Sequence, residues 1–281
     1  MNIGIIGTGN MGTILVESFI ESRAVTPSNL YLTNRSLKKA EKLKTIHPAL
    51  NILSNAEEVA ASSDIIFVCI KPHDIFPLLT KLSNQLRKDQ CIVSITSPIS
   101  VEQIQEVVNC NVARVIPSIT NRALSGVSLI TFSQSCNQEM RNHLLSMFDH
   151  ISSPVLIEDN ITRVASDIVS CGPAFFTYLV RRFITSAVEE TEITEEQATV
   201  LASGMIIGLG KLLDKGVFTL PTLQEKVCVK GGVTGEGIKV LEEELGEIFN
   251  HVFMKTHDKY YEDIKEVGEQ FEYSKNFKST K

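Results

Sequence analysis

Cysteine pairs at metal or redox spacing are missing from this chain. Its six cysteines, Cys69, Cys91, Cys110, Cys136, Cys171 and Cys228, include no C-x-x-C, and its six histidines do not gather beside them. That scatter argues against structural zinc and against a disulfide framework, which small secreted domains use and a chain of 281 residues does not need. Reduced thiols inside a cytoplasmic protein are the expectation. An excess of positive charge is missing as well. Twenty-seven Lys and Arg stand against 33 Asp and Glu, a net of −6, so a nucleic-acid partner is not expected. Long apolar runs are also absent. The chain is uncharged as far as Val16, but no Lys or Arg leads that stretch and three glycines interrupt it, unlike a signal peptide. Ala198 to Gly210 is uncharged too, yet too short and glycine-rich for a membrane span. No repeat or low-complexity segment stands out. With 43% hydrophobic and 21% charged residues, the composition is that of a globular protein with room for two domains.

What is present begins at the first residues. Asn2 to Ile6 is short, apolar and β-branched, as a buried strand should be. Gly7-Thr8-Gly9-Asn10-Met11-Gly12 follows in G-x-G-x-x-G spacing, and Met11 to Glu21 continues with helical periodicity. Strand, glycine turn and helix in that order form a dinucleotide cradle. The first glycine allows the tight turn, the second lets a pyrophosphate approach the backbone, and the third lets helix and strand pack closely. The helix N-terminus offers free N–H groups and a positive dipole end to the anion.

Strands and helices then alternate. Strands are predicted at Asn29–Thr33, Asn51–Leu53, Asp64–Ile70, Cys91–Ile95, Val112–Ile116, Gly126–Phe132 and Val155–Ile157. Helices are predicted at Ser36–Thr45, Glu57–Ser62, Asp74–Leu86 (with Pro77 in its first turn), Val101–Val108 and Gln138–Phe148. This grammar predicts an α/β fold with a Rossmann-type, doubly wound, mostly parallel sheet over residues 1–158. After Glu158 only helices are predicted: Ile161–Ser170, Ala174–Glu190, Glu195–Lys215, Leu223–Val229, and a long stretch from Glu236 to about Phe271 with a break near Thr256 or Gly268. Ser170 to Gly172 reads as a helix stop, with Pro173 opening the next helix. Residues 159–281 are therefore expected to form an all-α second domain, with a polar tail fraying from Tyr273.

Three further motifs carry chemistry. At the end of the second strand an NAD site usually holds an acidic residue for the ribose 2′-OH. Here Asn34-Arg35-Ser36 stands in its place, with no carboxylate to repel a 2′-phosphate and a guanidinium to accept one. NADP(H) is the expected cofactor, with NAD(H) as the alternative; Lys38 and Lys39 lie one turn on. Cys69-Ile70-Lys71-Pro72 ends the fourth strand, where such sheets meet cofactors, although an ordinary strand-to-helix turn reads the same way. Gly231-Gly232-Val233-Thr234 precedes a long helix in the second half. Its backbone N–H groups can form a nest for a carboxylate and Thr234 adds a hydroxyl; a flexible helix connection is the plainer reading.

Taken together, GTGNMG, Asn34-Arg35-Ser36, Ile70-Lys71-Pro72, Cys171-Gly172-Pro173-Ala174 and Gly231-Gly232-x-Thr234 resemble the pyrroline-5-carboxylate reductase family, over residues 1 to about 270. Within it they look similar to the reductase-like proteins associated with late competence in spore-forming bacteria. The resemblance implies NAD(P)H-dependent reduction of the cyclic imine 1-pyrroline-5-carboxylate to L-proline. It also implies an intertwined homodimer, with a higher oligomer open, and an active site between cofactor domain and dimer interface. Gly231, Gly232, Val233 and Thr234 would bind substrate, and Thr234 would hydrogen-bond the ring nitrogen. The chain departs from the family pattern at Val229-Lys230, where serine-proline is usual, at Gly235, at Pro117-Ser118-Ile119-Thr120-Asn121 and at Val169-Ser170-Cys171. The cofactor motifs are thus better kept than the substrate motifs. A regulatory NADP(H)-binding relative with weakened turnover is the alternative. A β-hydroxyacid dehydrogenase shares the layout, but Asp159 to Gly172 contains Arg163 and lacks the lysine that class uses.

Overall fold

The computed structural model describes residues 1–278, with side chains through Phe271. Contacts divide the chain into two compact units. The first holds Met1–Pro173 together with the chain from Met254 onward; the second is Ala174–Phe253. The change from mixed to helical structure at Glu158 is thus not where the contacts divide: residues 159–173 and the final helix group with the sheet.

The first unit is built on an eight-stranded sheet in the order β3-β2-β1-β4-β5-β6-β7-β8. The strands are β1 (Ile3–Ile6), β2 (Leu30–Thr33), β3 (Asn51–Ile52), β4 (Ile65–Val68), β5 (Cys91–Ser94), β6 (Asn111–Ile116), β7 (Val127–Phe132) and β8 (Ser153–Leu156). The first six run parallel; β7 is antiparallel to β6, and β8 parallel to β7. Strands β1, β4 and β5 are buried along their length, which is why they read as unbroken apolar runs rather than alternating ones. Helices cover both faces. One face packs α1 (Asn10–Glu21), α2 (Leu37–Ile46) and α6 (Gln138–Asp149) through Leu15, Phe19, Leu43, Leu144 and Phe148. The other packs α3 (Ala56–Ser62), α4 (Pro72–Leu82) and α5 (Val101–Gln105) through Val59, Leu79 and Ile104. Pro72, expected only to stop a strand, opens α4, and Pro77 lies inside that helix rather than in its first turn.

The second face holds a residue pair that composition did not assign to it. Val267 and Phe271 are buried there, Phe271 with its ring 4.8 Å from that of Phe76. Both come from α12 (Ile248–Lys278). That helix starts after a break at Gly246 (φ +43°), not near Thr256 or Gly268, and it runs past Tyr273, where fraying was expected. Residues 279–281 lie outside the described residues.

The stop expected at Ser170–Gly172 is also absent. Helix α7 (Thr162–Ser166) passes through one π-type turn, Asp167–Cys171, directly into α8 (Gly172–Glu190). Pro173 has no N–H, so an α-turn here would leave the Val169 carbonyl without its donor. The widened turn exposes that carbonyl to Ser118, whose hydroxyl donates to it at 2.8 Å.

The second unit contains most of α8, then α9 (Glu195–Asp214), α10 (Leu220–Val227) and α11 (Val233–Leu245). Thr194 caps α9 through a reciprocal box with Gln197, and Gly216 (φ +62°) closes it. No helix among the described residues is long and apolar enough to cross a membrane.

Candidate functional site

The loop after β1 is held by its neighbours rather than by itself. Gly7 adopts φ +104° and donates to the Thr33 carbonyl at 2.9 Å. A side chain there would run into the backbone of Cys69, and one at Gly12 would run into the Gly7 carbonyl. Two of the sequence motifs, GTGNMG and Cys69-Ile70, are thereby packed against each other, with Cys69 N–H donating to the Ile6 carbonyl at 2.8 Å. A third motif joins them. Thr8 N–H donates to Asn34 Oδ1 at 3.0 Å, and Asn34 Nδ2 donates to the Ser36 carbonyl at 3.0 Å. Asn34 therefore fixes the β1 loop against the β2 loop and leaves Arg35 exposed beside it, without an ion pair among the described residues. Ser36 caps the backbone of α2 without a side-chain bond. Lys71 is the exposed residue before α4, with Pro72 in its first turn.

The local chemistry suits a diphosphate. No side chain caps the first turn of α1 and no acidic residue stands in it. The space where a Gly9 side chain would lie is open to 4 Å. The Thr8 hydroxyl is buried and has no hydrogen-bond partner among the described residues. Unpaired donors, open backbone and one orphaned hydroxyl are what an anion at a helix N-terminus requires.

The carboxyl ends of β5 and β6 lie beyond the switch point between β1 and β4, where the second half of a dinucleotide would lie. Sequence reasoning did not single out Ser97 after β5. The rule that ligands meet strand ends was enough to find it. Arg163 Nη1 lies 3.4 Å from Ser97 Oγ, and the Tyr260 hydroxyl 3.4 Å from the Ser97 carbonyl. After β6, Ser118 caps the short turn Ile119–Ala123 in a reciprocal box with Asn121. Burial pushes the Tyr260 phenol upward, with the Asp159 carboxylate adding to the shift and Arg114 opposing it.

The glycine loop of the second unit has its own geometry. Gly231 adopts φ +77°, and Gly232 is the residue before α11, with no side chain capping that helix. Thr234 thus sits within the first turn and is not the cap. Its hydroxyl has no hydrogen-bond partner among the described residues. Val233 is 89% exposed.

Comparison with known proteins agrees with this layout. Residues 159–264 match the family described as pyrroline-5-carboxylate reductase dimerisation, and residues 2–98 match NADP oxidoreductase, coenzyme F420-dependent. ComE operon protein 4 of Bacillus subtilis (strain 168) is 54% identical over 96% of this chain and 99% of its own. Pyrroline-5-carboxylate reductase 3 of the same organism is 27% identical over 95% and 98%. The fold superposes on Plasmodium falciparum pyrroline carboxylate reductase, a structure with NADP bound, with a TM-score of 0.80 at 21% identity, covering 95% of this chain and 98% of that one. NADP is the cofactor of this group of oxidoreductases. The fold, the paired family matches and the near-complete overlap with ComE operon protein 4 together establish that the chain belongs to the pyrroline-5-carboxylate reductase family.

Proposed function

We propose that the protein reduces a cyclic imine carboxylate with NADPH, and that 1-pyrroline-5-carboxylate, giving L-proline, is the substrate. The observation that carries this reading is a full-length relationship to reductases of that name, joined to a cradle whose free donors, open Gly9 and orphaned Thr8 hydroxyl suit a dinucleotide. Residues 1–158 would serve as the cofactor domain and 159–281 as the dimerisation and substrate domain. The cofactor supplies a hydride. Gly7 to Gly12 hold the pyrophosphate, Asn34, Arg35 and Ser36 hold the 2′-phosphate end, and Cys69 to Pro72 line the path toward the nicotinamide. The nest at Gly231, Gly232 and Val233 takes the substrate carboxylate, and the Thr234 hydroxyl hydrogen-bonds the ring nitrogen. This fixes the imine carbon for hydride transfer and requires no strong acid or base, since positioning supplies the rate.

A second reading has its own support. The 54% relative takes its name from the ComE operon and not from a reaction, and the substrate motifs of this chain are the ones that depart from the family. A regulatory NADP(H)-binding protein with slow turnover fits those facts. NADPH oxidation by the pure protein with pyrroline-5-carboxylate, run beside an active reductase, separates the two. Thr234→Val should lower kcat and leave NADPH affinity unchanged; a variant as fast as the parent refutes the role of Thr234. A parent with no turnover favours regulation.

A further inference from the structure

Asp167 is a charged residue whose side chain is shut away from solvent. Its carboxylate is 0% exposed, and it lies within the π-type turn. Burying a carboxylate is costly unless it is paired and hydrogen-bonded. Here Arg163 Nη2 donates to Oδ1 at 2.7 Å and Thr256 Oγ1 donates to Oδ2 at 2.6 Å, with His257 Nδ1 3.9 Å away. Arg163 is held in turn by Ser97 and by the Tyr260 ring, 5.6 Å beneath its guanidinium. Asp167 is therefore where α12 is joined to the π-type turn.

The same turn is bolted to the end of β6. Ser118 Oγ donates to the Val169 carbonyl at 2.8 Å, and Ser170 Oγ donates to the Pro117 carbonyl at 2.7 Å. Two reciprocal hydroxyl bonds fix the loop after β6 to backbone that Asp167 fixes to α12, while Arg163 carries the contact to Ser97 after β5. Both strand ends reached by this block belong to the half of the sheet that faces the nicotinamide in a doubly wound fold. The adenosine end, at Arg35, is on the other half and receives none of these contacts.

We propose that Asp167 is a positioning residue for the nicotinamide end of the site, transmitting the seating of α12 to the loops after β5 and β6. It rests on NADP(H) being the cofactor, and takes from the proposed reaction only a turnover readout. Asp167→Asn in the full chain keeps the size and removes the charge. Bound NADPH should then keep its affinity within about threefold, because the pyrophosphate and 2′-phosphate contacts are elsewhere. Its nicotinamide fluorescence should lose most of the change that binding produces. Backbone amides of Ser118 to Asn121 should exchange about tenfold faster. With pyrroline-5-carboxylate, kcat should fall about ten- to a hundredfold while KM for NADPH stays nearly constant. Thr256→Val, which removes a single bond to the carboxylate, should shift the same readouts in the same direction by less, and it decides the matter if Asp167→Asn does not fold. Folded variants with parental emission and exchange overturn the proposal, as does faster exchange with unchanged emission, which would make Asp167 structural only. A parent that binds NADPH but reduces no imine removes the proposed reaction, and emission and exchange still decide the role of Asp167.

Discussion

Two arginines of opposite exposure show what a guanidinium does in this protein. Arg35 is exposed, and its neighbour Asn34 is pinned on both sides, so the charge is presented rather than packed. Arg35→Glu should weaken NADPH binding about ten- to a hundredfold, the value of a charge-assisted pair, and leave NADH binding nearly unchanged. Equal dissociation constants for the two cofactors in the parent would refute the assignment; titration by fluorescence measures both. Arg114 is 2% exposed and lies on β6. It donates to the Ile99 carbonyl, to the hydroxyls of Thr131 and Thr162, and to Asp159 across the start of the helical segment. Arg114→Leu removes all of these and strands buried acceptors. Unfolding by urea should show a loss of about 3 kcal/mol. The exposed Asp159 carboxylate stays hydrated, which keeps the cost from rising further. A variant within 0.5 kcal/mol of the parent, roughly the range of an ordinary surface change, would show that Arg114 only fills space.

At the level of elements, glycine at a junction is separable from glycine in a crowd. Gly246 has φ +43° and ψ −127°, and the space around its absent side chain is open. Gly246→Ala should cost about 1–3 kcal/mol through backbone strain alone, read from a thermal melt. An unchanged melting temperature would mean the junction can relax into another turn. This break also shows where the sequence was legible. The strands that bracket the cradle were readable because burial on both faces leaves an unbroken apolar run, as in Ile65 to Val68. The nucleotide turn was readable because three glycines served distinct steric roles in one short loop. The break at Gly246 was not, since Gly235, Gly237, Gly246 and Gly268 look alike until φ is known. The continuous helix through Pro173 was not legible either, because the donor that permits it comes from Ser118 after β6. Arg163 and Asp167 stand four residues apart, so their pairing could be guessed, but nothing local announces that the pair is buried.

For the whole molecule, the second unit has little interior. Among its described residues only Ala198 and Ala202 are buried apolar side chains, while Val200, Leu201, Met205 and Ile207 on α9 are exposed. Among the described residues, nothing beyond the helix's own backbone lies within 4 Å of where a side chain at Gly204, Gly208 or Gly210 would be. In an isolated protomer Gly208→Leu would be harmless and would even favour the helix, by about 0.8–1.0 kcal/mol. If α9 packs against a second chain, as the dimerisation match supports, the same change overpacks the contact by about 1–3 kcal/mol or more and gives monomer or aggregate. Sedimentation at micromolar concentration reads the sign of the effect directly, and a folded monomeric parent would refute the homodimer. The bond between Ser118 and the carbonyl that Pro173 leaves free has a consequence of another kind. Two positions far apart in the chain share one vacancy in the helix ladder. The dependence runs one way: losing the hydroxyl while the proline stays strands a carbonyl, whereas losing the proline restores an amide that can share an oxygen able to accept two bonds. In lineages descending from this sequence a hydroxyl at position 118 should persist wherever Pro173 does, and a library that randomises position 118 beside Pro173 should recover mostly residues with a donor there.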